Sequence, residues 1–320
     1  MKGSYEITVS NAKIHYNFTI RRNITIIKGD SATGKTTLVD MIRDYYEAGD
    51  DSGIVLICER TCRVLEGRNW RILLDGIEKT IVFIDEDNSF LPTNEFAEAV
   101  QKSDNYYVIV TREGLPNLPY SVEEIYGIRE SGKYASLKQT YNELYHIYGR
   151  TDYREPVKPE YVIVEDSNAG YEFFKGISKR EECSVISAGG KSNIFGELIK
   201  SRAAQILVIA DGAAFGSEMD RVMKLIMRRK GIVLYLPESF EWLILKSGIA
   251  EGKELKTILE KPEEFIESSE YLSWERFFTN LLVRVTKDTY FKYSKRKLNE
   301  VYLHENISPK ILRDMVEIEL

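Results

Sequence analysis

The sequence predicts two α/β domains, each built on a parallel sheet, followed by a helical C-terminal region. In both halves of the chain, short apolar and β-branched runs alternate with helix-like segments, which is typical of parallel strands buried on both faces. A charged segment at 154–160, with Pro156 and Pro159, interrupts this alternation. The 320 residues are enough for two ordinary domains. The predicted boundaries are 1–150, a linker at 151–160, a small domain at 161–248 and helices at 249–320.

Composition excludes several classes of protein. The chain has 44 Lys and Arg against 50 Asp and Glu, a net charge of −6, which argues against binding through global positive charge. The longest apolar runs, such as Ile206–Ala210, are far shorter than the ~20 residues that span a bilayer. Three cysteines cannot form a disulfide framework, and no secretion signal opens the sequence. We therefore expect a cytoplasmic protein with no membrane partner.

The N-terminal half reads as a hairpin followed by strands and helices. The predicted elements are a hairpin over residues 5–20, strands at Ile24–Ile27, Ile54–Ile57, Ile81–Ile84 and Tyr106–Val110, and helices at Thr36–Ala48 and Leu137–Tyr148. The second half repeats the alternation on a smaller scale. Its predicted strands are Tyr161–Val164, Cys183–Ser187, Ile206–Ala210 and Ile232–Leu236, with helices at Tyr171–Ile177, Asn193–Arg202 and Glu218–Arg229.

The strongest motif lies between the first predicted parallel strand and the helix after it. It is Gly29-Asp30-Ser31-Ala32-Thr33-Gly34-Lys35-Thr36, a full match to G-x-x-x-x-G-K-[ST]. The glycines let successive backbone N–H groups point at phosphate oxygens, and the helix start adds its positive dipole end. We expect Lys35 to contact the β- and γ-phosphates, Thr36 to ligate Mg²⁺ and Thr37 to contact the α-phosphate.

A second acidic motif supports nucleotide chemistry. The apolar strand Ile81–Ile84 ends in Asp85 and Glu86, which is the Walker B pattern. We expect Asp85 to hold Mg²⁺ through water and Glu86 to orient the attacking water, so the pair favours hydrolysis over kinase chemistry. Arg112, at the end of the next strand, reads either as a sensor residue or as a solvated loop arginine. Residues 1–150 thus resemble a compact P-loop NTPase, and the resemblance implies ATP and Mg²⁺ as cofactors.

In the second domain, carboxylates and a glycine loop follow successive strands. Glu165 ends the first strand, Ser187–Ser192 forms a Gly-rich loop after the second, and Asp211 ends the third. Because parallel strand ends share one sheet edge, Glu165 and Asp211 should converge there. This spacing resembles the Toprim domain of topoisomerases, primases and OLD-family nucleases. The resemblance implies that Glu165 and Asp211 are catalytic carboxylates that bind a metal for phosphodiester chemistry.

One position departs from that pattern. The family's third strand ends in Asp-x-Asp, whereas here Ala213 replaces the second acid. The candidate substitutes for it are Glu218, Asp220, Glu238 and Glu241. The alternative is a domain without metal chemistry, kept for binding or assembly.

A basic stretch in the C-terminal region predicts a nucleic-acid contact. Its cations are interleaved with aromatic residues, a composition that suits single strands. Its members are Arg284, Lys287, Tyr290, Phe291, Lys292, Tyr293, Lys295, Arg296 and Lys297. The simpler interpretation is a helix with a solvated cationic face and an aromatic core stripe. Cys58 and Cys62 read as core or loop thiols.

Two functions of different class follow. One is an ATP-hydrolysing protein whose Toprim-like domain acts on nucleic acid with Mg²⁺, resembling OLD-family ATPase–nucleases. The other is a nucleotide-dependent switch or assembly module, with a partner protein or a homo-oligomer as its target. A third, a small-molecule P-loop kinase, is weakened by Glu86 and by the size of the second domain.

Overall fold

The chain is described by a computed structural model that covers residues 1–29, 33–131, 139–149, 157–179, 181–315 and 318–320. It has an α/β fold with a large mixed sheet, a second parallel sheet and helices. The residues divide into two compact units. Unit 1 comprises 1–149 and 261–272, and unit 2 comprises 150–260 and 273–320.

Unit 1 is built on one mixed sheet of nine strands. These are β1 (Tyr5–Ser10), β2 (Ile14–Ile20), β3 (Ile24–Ile27), β4 (Val55–Ile57), β5 (Cys62–Val64), β6 (Ile81–Ile84), β7 (Tyr106–Val110), β8 (Ile125–Glu130) and β9 (Thr140–His146). Their order is β4-β1-β2-β9-β8-β3-β7-β6-β5. The last five strands of this order are mutually parallel, while β1 pairs antiparallel with β2 and β4, and β8 antiparallel with β9.

This sheet must curl around helix α1 (Lys35–Ala48). Strands β4 and β5 lie at opposite edges of the sheet, yet only residues 58–61 separate them in sequence. Such a connection spans at most about 18 Å, whereas nine flat strands would span about 38 Å. One hydrophobic core accordingly contains residues of α1 together with residues of strands near both edges, such as Val9 and Cys62. Helices α2 (Trp70–Asp75) and α3 (Asn94–Lys102) complete the unit.

A late segment of the chain returns to unit 1. The N–H of Gly3 donates to the carbonyl of Glu263 at 2.7 Å, and the N–H of Ser268 donates to that of Met1 at 2.8 Å. The side chain of Asn23 also donates to the carbonyl of Ser268, at 3.2 Å. These bonds explain why residues 261–272, which the sequence assigned to a separate C-terminal region, group with unit 1 instead.

Unit 2 is built on a four-stranded parallel sheet. Its strands are β10 (Tyr161–Val164), β11 (Ser184–Ser187), β12 (Ile206–Ile209) and β13 (Ile232–Tyr235), in the order β11-β10-β12-β13. The helices are α4 (Ala169–Ile177), α5 (Lys191–Lys200), α6 (Met219–Arg228), α7 (Phe240–Lys246), α8 (Leu255–Glu260), α9 (Trp274–Thr286) and α10 (Ser308–Ile311). The predicted strands of this half all occur, each within one residue of its predicted ends.

The sequence prediction was wrong at two elements of unit 1. The segment predicted as a helix at Leu137–Tyr148 contains strand β9 instead, because residues 140–146 pair with β2 and β8. The segment Ile54–Ile57, predicted as a buried parallel strand, forms the antiparallel edge strand β4, where Val55 and Ile57 are exposed. Strands β5 and β8 were not predicted. The described residues contain no helix that is long and apolar enough to cross a membrane.

Candidate functional sites

The glycine loop of unit 1 connects β3 to α1. Gly29, Thr33, Gly34 and Lys35 lie together here, whereas Asp30, Ser31 and Ala32 fall outside the described residues. The Lys35 Nζ donates to the carbonyl of Gly29 at 2.8 Å and to Thr33 Oγ1 at 3.0 Å. The lysine side chain therefore curls back over its own loop, where the motif requires it to meet phosphate. Thr36 is exposed in the first turn of α1, and Thr37 is half-buried.

A tyrosine from β2 braces this loop. The Tyr16 hydroxyl donates to the carbonyl of Gly34 at 2.8 Å. Burial raises the pKa of Tyr16 to about 12, so the hydroxyl keeps its proton and remains a donor. Gly34 has a φ of +87° and precedes the helix, and a Cβ there would lie 2.8 Å from the tyrosine oxygen. Sequence analysis missed this contact. The only local signal was that Tyr16 belongs to the buried face of an alternating strand.

The two acids of the Walker B pattern follow β6. Strand β7 lies between β3 and β6, so the acids and the glycine loop are two strand spacings apart, about 10 Å. Asp85 is buried, and its Oδ1 accepts the N–H of Glu86 at 2.7 Å. The side chain of Asn88 donates to the Asp85 carbonyl at 3.0 Å, which fixes the turn.

Glu86 pairs with Arg112 at the end of β7. The guanidinium makes two bonds to the carboxylate: Nε to Oε2 at 3.0 Å and Nη2 to Oε1 at 2.6 Å. The Arg112 side chain is 59% exposed and that of Glu86 20%. Arg112 is therefore more than a solvated loop arginine, because its guanidinium is bonded to the carboxylate of Glu86.

Thr36 and Asp85 suit the magnesium ion of a bound nucleotide. Mg²⁺ usually takes one or two protein oxygens and completes its shell with water and substrate phosphates. A hydroxyl in the first helical turn and a buried carboxylate two strands away are donors of that kind. Across the described ranges, no group of three or more His, Cys, Asp or Glu residues is arranged to hold a metal ion by itself.

In unit 2, the structure brings Glu165 and Asp211 together. The backbone N–H of Asp211 donates to Glu165 Oε2 at 3.0 Å, and that of Phe240 donates to Asp211 Oδ1 at 3.2 Å. Both carboxylates line a cavity of about 20 Å³, enough for one water molecule. Burial raises the pKa of Glu165 to about 7 and that of Asp211 well above its usual range.

Two further carboxylates act on this pair. Glu241 of α7 is buried and accepts a hydrogen bond from the Tyr293 hydroxyl at 2.8 Å. Glu275 of α9 forms an ion pair with Lys295. After burial itself, the charge of Glu275 is the strongest influence that raises the pKa of Asp211, while Lys295 lowers it. We call these residues, Glu165, Asp211, Glu241, Glu275 and Lys295, the carboxylate cluster.

Among the four acids considered as substitutes at Ala213, Glu241 belongs to the carboxylate cluster. Glu218, just before α6, instead forms an ion pair with Arg221, and the carbonyl of Glu238 accepts the N–H of Ala213 at 3.3 Å. The cluster does not fit a metal site as arranged. Its four acids accept bonds from two backbone N–H groups, a tyrosine and a lysine, and no three ligands converge among the described side chains.

The Gly-rich loop Ser187–Ser192 has a structural lysine. The N–H of Gly190 donates to the Glu165 carbonyl at 2.9 Å. Lys191 Nζ donates to the carbonyl of Ala214 at 2.8 Å and to Ser217 Oγ at 3.2 Å, so it links this loop to the loop after β12. Burial lowers the pKa of Lys191.

The basic stretch divides into surface and interior residues. Tyr293 is buried against Glu241, and Lys295 belongs to the carboxylate cluster. The exposed members are Arg284, Lys287, Tyr290, Lys292, Arg296 and Lys297, and Phe291 is half-buried. Sequence reasoning missed the inward role of Lys295, because its partner Glu275 lies on another element.

Comparison of the chain with protein-family models found no match. Comparison with curated proteins and with solved structures found none either. Function must therefore be argued from the two sites.

Proposed function

We propose that the protein binds and hydrolyses ATP at the glycine loop of unit 1. The observation that carries this is the position of Lys35, curled over a Gly-bounded loop between β3 and α1, with Asp85 and Glu86 two strands away. Backbone N–H groups and the N-terminal end of α1 favour an anion at this loop.

Each residue then has a role in hydrolysis. Lys35 contacts the β- and γ-phosphates, and Thr36 and Asp85 hold Mg²⁺, which neutralises charge that develops on the phosphates. Glu86 orients the attacking water. Arg112 holds the Glu86 carboxylate through two bonds, and a carboxylate has further lone pairs with which it can orient a water.

Glu86→Gln tests this assignment. The amide keeps the shape but no longer polarises water as a carboxylate does, so we expect ATP turnover to fall about 10²–10³-fold with nucleotide affinity retained. The matched control is Asp87→Asn, an exposed acid one residue away, which should leave turnover unchanged. Equal turnover in wild type and Glu86→Gln would remove Glu86 from the reaction. GTP is assayed in parallel.

For unit 2 we propose a binding or assembly role that responds to the nucleotide state of unit 1. The arrangement of the carboxylate cluster supports this role, because Lys295 supplies a positive charge within it and Ala213 stands where a further acid would be needed. The proposed binding partner of unit 2 is another protein, a second copy of the chain or nucleic acid.

The second candidate is a Toprim-like, metal-dependent nuclease. The convergence of Glu165 and Asp211 at one small cavity favours it. The test is cleavage of plasmid and single-stranded DNA with Mg²⁺ or Mn²⁺, with and without ATP. Glu165→Ala should abolish cutting by such a nuclease, and the control Glu182→Ala, an exposed acid, should not. Absence of cutting alongside ATP hydrolysis would support the binding role.

Nucleic-acid binding is tested separately on the exposed cations. Lys292→Glu with Lys297→Glu reverses two exposed charges and leaves the buried bonds of Lys295 and Tyr293 intact. If the stretch contacts phosphates, the double variant should lose affinity for single-stranded DNA or RNA and reduce the salt dependence of binding. Unchanged affinity at low salt would make the stretch an ordinary surface.

A further inference from the structure

The connection between β4 and β5 carries two thiols. Cys58 follows β4, Cys62 begins β5, and the residues between them join the two edges of the curled sheet of unit 1. Cys62 is buried in the core of the unit, and Cys58 is half-buried and packs against the same core. Glu59, Arg60 and Thr61 between them are exposed. Cys58 is thus the more solvent-exposed cysteine of the pair.

Both sulfur atoms contact the main chain of the same residue. The N–H of Arg60 donates to Cys58 Sγ at 3.5 Å, and Cys62 Sγ donates to the Arg60 carbonyl at 3.7 Å. The turn therefore directs both side chains to one side. The neighbouring Cys62 thiol lowers the pKa of Cys58 to about 7. The neighbouring Cys58 and burial both raise the pKa of Cys62.

The difference in burial between Cys58 and Cys62 is typical of an attacking and a resolving thiol. The thiolate is the nucleophile, and a pKa near ambient pH gives both a large thiolate fraction and good intrinsic reactivity. Cys62, which stays protonated, is the neighbour that can close a bond to an oxidised Cys58. The third cysteine, Cys183 of unit 2, is half-buried and offers an internal reference.

We propose that Cys58 and Cys62 are a thiol modification site, at which a hydroperoxide oxidises Cys58 and Cys62 then closes a reversible disulfide. In the first step, the Cys58 thiolate attacks one peroxide oxygen and the O–O bond breaks. Cys58 becomes a sulfenic acid, and the other oxygen leaves as hydroxide or alkoxide and takes up a proton. In the second step, the Cys62 sulfur attacks the Cys58 sulfur, and the sulfenic hydroxyl leaves with the Cys62 proton as water. An external thiol reduces the disulfide by exchange.

The site lies where oxidation would affect the unit. Cys62 pairs with Ile81 at the start of the strand that leads to Asp85, and its side chain packs in the same core as α1. Forming the S–S bond brings the two sulfurs to about 2 Å from each other. The start of β5, which lies in the core, and the connection between β4 and β5 must therefore move together.

Alkylation kinetics on the full-length protein test the attacking thiol. With iodoacetamide and peptide mass spectrometry, we expect Cys58 to react about three- to tenfold faster than Cys183 at pH 7. Its rate should rise with pH to a half-maximum near 7. In urea the three cysteines should react alike. Equal rates for Cys58 and Cys183 in the folded protein would overturn the proposal.

Oxidation products test the resolving thiol. After dilute hydrogen peroxide, we expect a linked peptide containing Cys58 and Cys62, lighter by two hydrogen atoms and restored by dithiothreitol. Cys62→Ala should instead leave Cys58 as a sulfenic acid, captured by dimedone, while Cys183→Ser should behave as wild type. Wild-type protein that yields only intermolecular disulfides, or that oxidises Cys183 first, would contradict the assignment without reliance on any variant.

Discussion

Both units begin a helix with glycine followed by lysine, and the two lysines do different things. In unit 1, Lys35 turns back onto Gly29 and Thr33 of its own loop. In unit 2, Lys191 reaches away to Ala214 and Ser217 and ties two loops together. The same dipeptide therefore places its lysine against its own loop in one unit and across two loops in the other. The surrounding acids differ as well, because the carboxylate cluster lies beside the loop of unit 2.

The largest effect is expected when these two lysines are each replaced by alanine. Lys35→Ala should lower ATP turnover about 10³-fold, because it removes the cation that meets the transferring phosphate. Lys191→Ala is the matched variant and should keep turnover within about twofold, while destabilising unit 2 by about 1–3 kcal/mol through two lost buried hydrogen bonds. The measurements are steady-state hydrolysis and urea unfolding. Similar turnover in both variants would show that the two lysines do not differ in their effect on ATP hydrolysis.

The glycine before Lys35 can be tested in the same way. Gly34→Ala should destabilise unit 1 by about 2 kcal/mol, because a Cβ at φ +87° is strained and would lie 2.8 Å from the Tyr16 oxygen. Thermal unfolding would measure this. Tyr16→Phe in the same chain removes that oxygen and leaves the ring 3.8 Å from the Cβ, so the two changes together should cost less than the sum of each alone. Strict additivity would contradict the close contact.

The next prediction concerns Lys295, the cation of the carboxylate cluster. Lys295→Met should destabilise unit 2 by about 1–2 kcal/mol, less than for a fully buried pair because the lysine side chain is 40% exposed. Lys292→Met, an exposed neighbour, should change stability by less than about 0.5 kcal/mol. Hydrogen exchange of the β10 and β12 amides would report on this unit alone. Equal protection in the two variants would remove Lys295 from the cluster.

The smallest effect is expected at the ion pair between Glu86 and Arg112 in unit 1. Arg112→Ala should change the unfolding free energy by less than about 1 kcal/mol, because the arginine is 59% exposed and surface pairs contribute little. Urea unfolding would check it, with Arg68→Ala, an exposed arginine, as the control. A loss well above 1 kcal/mol would show that Glu86 is held for stability.

Local patterns predicted much of this molecule. The strands of unit 2 are short runs centred on apolar residues, so the sequence located each of them. The edges of the unit 1 sheet were harder, because β9 mixes tyrosines with polar residues and β5 has three residues. Their strand character comes from partners distant in sequence, which no local pattern reports.

The candidate sites divide in the same way. The glycine loop and the acids after β6, β10 and β12 were predicted, because each motif is contiguous or follows a recognisable strand. Tyr16, Glu275 and Lys295 were not assigned to a site, since they reach it through tertiary packing. Lys295 was placed instead in a basic stretch, because local composition does not reveal which cations turn inward.

The most direct test of a nucleotide site in unit 1 is calorimetric titration of Mg²⁺–ATP into the full-length protein and two variants, Lys35→Ala and Asp211→Asn. We expect one ATP site per chain in wild type, its loss in Lys35→Ala and its retention in Asp211→Asn. Binding that survives Lys35→Ala, or that disappears with Asp211→Asn in a folded protein, would contradict the assignment of the nucleotide to unit 1.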